Sequence, residues 1–417
     1  MASEWPTKQL REVAEVIDSL HKSPQYQNIG LPMVRVTDIK PDSIDLANCN
    51  KVSEEDFIEF SRRYKPESGD LLITRVGSYG ITAQVKRVLD FCIGQNIAAI
   101  KPQNIHSVFL FYCFQSSVVK QQIEQRVVGS TQKTLSLANI NELEIPLPPL
   151  PEQKAIAAVL GSLDDKIELN RRMNETLEAT AKALFKSWFV DFDPVRAKTE
   201  GRQPEGLAPE IAALFPNGFE DSELGEIPNG WKWVSFDELA EAKQGKYLPA
   251  ADMAERPYLD TPYPVWGGNG VRGYTKNTMY SEPVTVMTCR GSNCGLILFT
   301  ESPSWVSNIS FACLPKYGSN EYLYIYFSLE SFVETISGSA QPQITSTSLK
   351  SKMMKFPVEK HVCNQFSELI HPVFKKIRQL NTNSRTLASI RNTLLPRLMS
   401  GELRVCDAQK LVEGVTT

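Results

Sequence analysis

The chain has 417 residues, too many for one ordinary domain and enough for two or three. Hydrophobic residues make up 42% and charged residues 22%, the balance of a soluble globular protein, which excludes disorder for the bulk of the chain. Lys plus Arg is 45 against 48 for Asp plus Glu, a formal charge of −3 that excludes a histone-like polycation but not a local basic face on nucleic acid.

The start, Met1-Ala2-Ser3-Glu4-Trp5-Pro6, lacks the basic and apolar regions of a secretory signal. No apolar run reaches the length of a membrane span, and eight Cys without a CxxC pair suit a reducing cytoplasm, the expected location. Chain elements then recur in order. Leu10-Arg11-Glu12-Val13-Ala14-Glu15 is matched by Phe236-Asp237-Glu238-Leu239-Ala240-Glu241. A strand ending at Thr74-Arg75 enters the glycine turn Val76-Gly77-Ser78-Tyr79-Gly80. Its counterpart ends at Cys289-Arg290 and enters Gly291-Ser292-Asn293-Cys294-Gly295, so each turn is expected to carry an Arg at its lip. Gly129-Ser130-Thr131-Gln132 matches Gly338-Ser339-Ala340-Gln341, and Ile145-Pro146 matches Phe356-Pro357. Four matches in one order point to an internal duplication whose middles have diverged.

After the proline cluster Pro146-Leu147-Pro148-Pro149-Leu150-Pro151, a long helix should begin. Its seam steps four and three through Ile156, Leu160, Leu163, Ile167, Asn170, Asn174, Leu177, Ala181, Leu184 and Trp188. The same register recurs 210 residues on, at Phe366, Ile370, Val373, Ile377, Leu380, Ser384, Leu387, Arg391, Leu394 and Leu398. Two heptad seams in one chain most simply pack on each other. The alternative is two amphipathic helices, each lying on its own domain. Between them, residues 191–230 carry nine acids against three bases with many Pro and Gly, which reads as a linker with one short helix at Glu210 to Leu214.

Catalytic equipment is missing. No Asn/Asp-Pro-Pro-aromatic loop of a purine methylase occurs, and Gly245-Lys246-Tyr247 lacks the rest of a phosphate loop. Gly268-Asn269-Gly270-Val271-Arg272-Gly273 has GxGxxG spacing, but Tyr274-Thr275-Lys276-Asn277 does not open a helix, so a surface turn is expected. Cys289 and Cys294 read as two buried thiols in a strand rather than half a metal site, and the four His give no zinc spacing.

Pro146 to Gln153 running into Ala155-Ile156-Ala157, then Leu163-Asp164-Asp165-Lys166-Ile167-Glu168-Leu169-Asn170 and Leu184-Phe185-Lys186-Ser187-Trp188-Phe189, resembles the central region of type I restriction–modification specificity subunits. Leu224-Gly225-Glu226-Ile227-Pro228-Asn229-Gly230-Trp231 and Trp266 to Tyr274 resemble segments of the same family. The second half departs from the pattern: it has only Pro357-Val358-Glu359-Lys360 for the proline cluster, and Pro396 is expected to interrupt the last turn of its helix.

The resemblance implies a mixed α/β (α+β) chain with a pseudo-twofold internal repeat: two target-recognition domains separated by an antiparallel pair of long coiled-coil helices. The expected boundaries are a first recognition domain over 1–150, a central helix over 151–190 and the linker over 191–230. A second recognition domain over 231–358, a C-terminal helix over 359–400 and a tail over 401–417 follow. It further implies a non-catalytic subunit that reads a split, asymmetric site in double-stranded DNA. Two methyltransferase subunits would dock on the helices and bring S-adenosylmethionine, and motor-nuclease subunits would bring ATP and Mg²⁺. No cofactor, metal or membrane is expected for this chain.

Reading base edges needs Arg, Lys, Asn or Gln on a rigid turn. The candidates are Arg75, Ser78, Tyr79, Thr131, Gln132 and Lys133 in the first half, and Asn269, Arg272, Tyr274, Arg290, Asn293, Gln341 and Gln343 in the second. Arg62-Arg63 and Lys86-Arg87 are candidate phosphate contacts. For each Arg the plain alternative is an ion pair, and for each Tyr the edge of a core. Two rival functions are a nucleotide-binding enzyme using the Gly268 turn and a coiled-coil scaffold without a sequence-specific ligand.

Overall fold

The proline cluster converts a strand into a helix within a few residues. Glu144–Pro146 is the last strand of the first half, and the carbonyl of Pro149 accepts the N–H groups of Glu152 (2.9 Å) and Gln153 (3.1 Å) to start the helix Leu150–Phe185. Pro151 falls in that first turn, where its missing N–H costs nothing. The computed structural model describes residues 5–41, 43–87, 90–129, 133–338, 341–357 and 359–416. They form two units: unit 1 contains residues 1–169 and 383–417, and unit 2 contains residues 170–382.

In unit 1, an antiparallel sheet runs in the order Ala14–Asp18, Ile97–Pro102, Leu71–Thr74, Thr82–Gln84. A short helix, Leu10–Val13, precedes the first strand, and Gln9 N–H is held by the Glu12 carboxylate at 2.9 Å. Unit 2 repeats this arrangement. Its sheet runs Ala240–Gln244, Ser310–Pro315, Thr285–Thr288, Ile297–Phe299, and its helix Phe236–Leu239 has Ser235 N–H on Glu238 at 3.1 Å. A parallel pair recurs too: Leu31–Val34 with Cys92–Ile93 in unit 1, and Tyr263–Gly267 with Trp305–Val306 in unit 2. The strand order of the unit 1 sheet thus recurs in unit 2.

Each long helix contributes to both cores. In unit 1, Ile156, Leu160 and Leu163 of the first helix share a core with Leu387, Leu394 and Leu398 of the second, His361–Met399, and Ile167 packs at its edge. Phe109, Tyr112 and Cys113, on the helix Ser107–Gln115, lie in the same core. In unit 2, Ala181, Phe185 and Trp188 pack with Phe366 and Ile370, and Leu184 and Ile377 lie at the margin. Asn170 and Leu380 are buried at 6% exposure, whereas Leu177 and Val373 are half-buried. The side chain buried beside Val373 is Phe374, at 3% exposure. Phe374 is buried there because its ring packs on Phe299 and Tyr324 of unit 2, with centroids 5.4 and 6.0 Å away. The helices pair antiparallel, with Asp164 meeting Arg391 in unit 1 and Asn174 meeting Asn381 in unit 2.

Several local expectations are corrected. The helix does not break at Pro396 but runs to Met399; so close to the end, a proline removes one backbone bond, and Ser400 N–H still bonds Pro396 O at 3.0 Å. Residues 191–230 are not a free linker. After a π-helical turn, Lys186–Val190, Phe192 adopts φ 58° and redirects the chain into the helix Asp193–Thr199. Phe192, Val195, Phe215 and Ile227 are buried in the unit 2 core, and Leu207, Ile211, Leu214 and Phe219 pack against it, while Leu224 stays exposed. The short helix is Pro209–Ala212. Beyond Gly401 a further helix, Val405–Thr416, buries Val405 and Ala408 in the unit 1 core. No helix among the described residues is long and apolar enough to cross a membrane.

Candidate nucleic-acid interface

Each glycine turn is tied down by the same hydrogen bonds. In unit 1, Gly80 N–H donates to Thr74 O (2.8 Å), Gly77 N–H to Lys133 O (3.3 Å) and Leu135 N–H to Arg75 O (2.8 Å). In unit 2, Gly295 N–H donates to Thr288 O (2.8 Å), Gly291 N–H to Pro342 O (3.0 Å) and Ile344 N–H to Cys289 O (2.9 Å). Gly77, Gly80, Gly291 and Gly295 have φ between 74° and 92°, a region that favours glycine. Each turn is thereby latched to a second loop, and both loops rest on the end of a buried strand, Leu71–Thr74 or Thr285–Thr288.

These bonds also correct the alignment of the two turns. Arg75 takes the place of Cys289, not of Arg290: Arg75 N–H donates to Asn96 O and Cys289 N–H to Ile309 O, both at 2.8 Å. The lip arginines therefore face different surroundings. Arg75 is 12% exposed, ion-paired with Asp18 and bonded to Leu135 O at 3.2 Å. At the corresponding place in unit 2, Gln244 Nε2 meets Cys289 Sγ at 3.5 Å, while Arg290 is exposed and pairs through its backbone with Gln343.

In unit 1 the turn brings together Ser78, Tyr79 and Lys133. Ser78 is exposed; Tyr79 is half-buried, its hydroxyl donating to Glu124 at 2.8 Å and accepting from Lys133 at 3.3 Å. That bond raises the Lys133 ammonium above its usual range. Thr131 and Gln132 lie outside the described residues.

In unit 2, Gly268-Asn269 is the tight turn of a hairpin between Tyr263–Gly267 and Gly270–Thr275. A strand follows it, so the strand–turn–helix frame of a dinucleotide site is absent there. The Thr288 hydroxyl donates to Gly268 O at 2.6 Å, seating this turn against the Arg290 turn. Exposed Asn269, Arg290, Asn293, Gln341 and Gln343 thus converge at one end of the sheet. Arg272 is exposed on the outgoing strand, and half-buried Tyr274 exchanges backbone bonds with Ala254. Arg62, Arg63, Lys86 and Arg87 are exposed.

Lys246 and Tyr247 were missed as candidates. They follow the strand Ala240–Gln244 at the same sheet end, both exposed, Tyr247 at 71%. The available signal was Gly245: a Cβ there would stand 2.2 Å from Ser307 O, so glycine lets the chain cross the sheet end closely.

Cys289 is buried, but Cys294 lies half-exposed in the turn rather than in a strand, and burial pushes both thiols above their ordinary range. Among the described residues, no group of three or more His, Cys, Asp or Glu is placed to hold a metal ion.

A family model described as "Type I restriction modification DNA specificity domain" matches residues 2–179 and 228–382. The chain belongs to that family. The two matched segments carry the two glycine turns, one each. The chain is similar to the type I restriction enzyme MjaIX specificity subunit of Methanocaldococcus jannaschii, at 25% identity over 96% of this chain and 94% of that protein. It is also similar to the HindI specificity subunit of Haemophilus influenzae, at 26% identity over 66% and 72% of the two chains. In fold it is similar to the crystal structure of a type I restriction–modification S subunit from M. genitalium, with TM-score 0.54 and 16% identity over 94% of this chain and 96% of that one.

Proposed function

We propose that the chain is a non-catalytic, cytoplasmic subunit that reads a split, asymmetric site in double-stranded DNA, one half per turn-bearing domain. The observation that carries this reading is one latched frame presenting two different sets of polar side chains. Ser78, Tyr79 and Lys133 stand on it in unit 1, and Asn269, Arg290, Asn293, Gln341 and Gln343 in unit 2. A rigid backbone with exchangeable tips suits direct readout of base edges, because each bond discriminates only if its donor is held in place. Arg290 and the amides are suited to guanine and adenine edges in the major groove, while Lys133 and Lys246 are suited to phosphates.

The long helices would set the number of unread base pairs between the halves and dock two methyltransferase subunits. Methyl transfer from S-adenosylmethionine, and ATP- and Mg²⁺-dependent motion and cleavage by motor-nuclease subunits, would be the partners' chemistry.

The test is footprinting of duplex DNA by the chain with its methyltransferase partner. Two short protected tracts separated by an unprotected spacer are expected. Uniform or absent protection would favour a scaffold, and tight mononucleotide binding at the Gly268 turn would favour the enzyme.

A further inference from the structure

In both units, the recognition domain grips the long helices through a polar contact as well as apolar packing. In unit 1, Tyr112 on the helix Ser107–Gln115 donates its hydroxyl to Asp164 Oδ2 on the first long helix at 2.6 Å. The other oxygen of Asp164 accepts from Arg391 on the second long helix. One carboxylate therefore joins three elements, with Tyr112 at 2% exposure and the Asp164 side chain at 11%. In unit 2, Tyr324 on the helix Asn320–Leu329 donates to Glu178 on the first long helix, also at 2.6 Å. Arg378 on the second long helix donates to Glu321 of that same domain helix at 3.2 Å.

Apolar contact does not by itself fix orientation. The hydrophobic effect follows buried area and is non-directional, so Leu163 and Leu394 would tolerate a small roll of the domain about the helix. A hydrogen bond of 2.6 Å would not: it weakens steeply with angle, and one residue along a helix moves the acceptor by about 100° and 1.5 Å. A tyrosine hydroxyl on a carboxylate, nearly buried for Asp164 and half-buried for Glu178, is moreover charge-assisted, the stronger kind.

We infer that Tyr112–Asp164–Arg391 in unit 1, and Tyr324–Glu178 with Glu321–Arg378 in unit 2, are clamps that fix the rotational phase of each recognition domain on the helices. They thereby set how strictly the protein discriminates the spacer between its half-sites. These are positioning residues, and none of them needs to touch DNA. The inference rests on the two-half-site reading proposed above.

The experiment uses the full chain with its methyltransferase partner and measures methylation rates on duplexes that differ only in spacer length. Tyr112→Phe and Tyr324→Phe keep the rings and remove the hydroxyls. For each, the preference for the best spacer over one a base pair longer or shorter should fall about tenfold, with the preferred bases unchanged. Tyr258→Phe, at a residue 61% exposed, should leave it intact. A structural role alone would lower methylation equally at every spacer, and that result overturns the clamp. Should Tyr112→Phe fail to fold, Asp164→Asn keeps the shape and an acceptor oxygen while weakening the bond to Arg391. A smaller loosening is then expected, and an unchanged preference overturns the clamp. A wild-type complex indifferent to spacer length overturns the two-half-site reading, and the clamp with it. A spacer-selective wild type with unaltered variants overturns the clamp alone.

Discussion

The side-chain amide of Asn174 on the first long helix donates to the side-chain oxygen of Asn381 on the second, at 2.7 Å. The Asn174 side-chain oxygen is itself buried without a hydrogen-bond partner. A polar pair in an apolar seam contributes less to stability than leucines would, and it penalises registers that separate the two amides. Asn381→Leu alone should destabilise the chain by about 1–3 kcal/mol, because Asn174 loses its acceptor. Asn174→Leu with Asn381→Leu should be neutral or stabilising. Chemical denaturation of both variants checks this, and a double variant no better than the single would remove the register argument.

The two lip arginines should behave oppositely. Arg290→Ala, at an exposed side chain, should leave unfolding unchanged and weaken discrimination at one base of one half-site by about 1–3 kcal/mol. Arg75→Ala should instead lower stability by about 1–3 kcal/mol, because the half-buried Asp18 loses its guanidinium partner, keeping only His21 at 2.8 Å, and Leu135 O loses a donor. Denaturation and binding measured on both variants separate the roles.

Arg75 also marks where the sequence stopped being legible. Glycine and β-branched spacing located the turns, because φ near +90° and buried strand ends leave few residue choices. The inward partner of Arg75 is Asp18, 57 residues away, and no local pattern links two such positions. The segment 191–230 reads as a linker for a related reason. Composition averages over a face, and Phe192, Val195, Phe215 and Ile227 are too sparse to show a period although each is buried. Leucine spacing on the long helices was readable because it repeats over about five heptads, while the polar contacts of Tyr112 and Tyr324 with those helices had no signature.

The Glu178 carboxyl gives a pH signature. Burial opposes its ionisation, but hydrogen bonds from Lys182 and Tyr324 outweigh burial and hold it below the usual glutamate range. A carboxyl depressed on folding contributes stability above its unfolded value and loses it as pH falls through its folded value. The stability gap between wild type and Tyr324→Phe should therefore be constant above about pH 6 and shrink below about pH 4. Denaturation across that range checks it; a gap that widened in acid would assign the effect to another group.

If the helices set the spacer, lengthening them by one heptad should lengthen it. Seven residues add about 10 Å at about 1.5 Å each, or roughly three base pairs at about 3.4 Å. The insertions would go between Asn170 and Leu177 and between Leu380 and Leu387, so that the seam keeps its phase. Methylation over a spacer series should shift by that amount with lower affinity, because three base pairs also rotate the far half-site by nearly a third of a turn. A folded variant with an unchanged spacer would end the ruler.

The most direct test of the account replaces residues 7 to 143 with the matching segment of another family member and reads the methylated sites across a host genome. One half of the recognised site should change to that of the donor, while the other half, proposed to be read by the untouched turns at Asn269, Arg290 and Gln343, should stay as it was. A swap that altered both halves together, or neither, would contradict independent reading by the two domains.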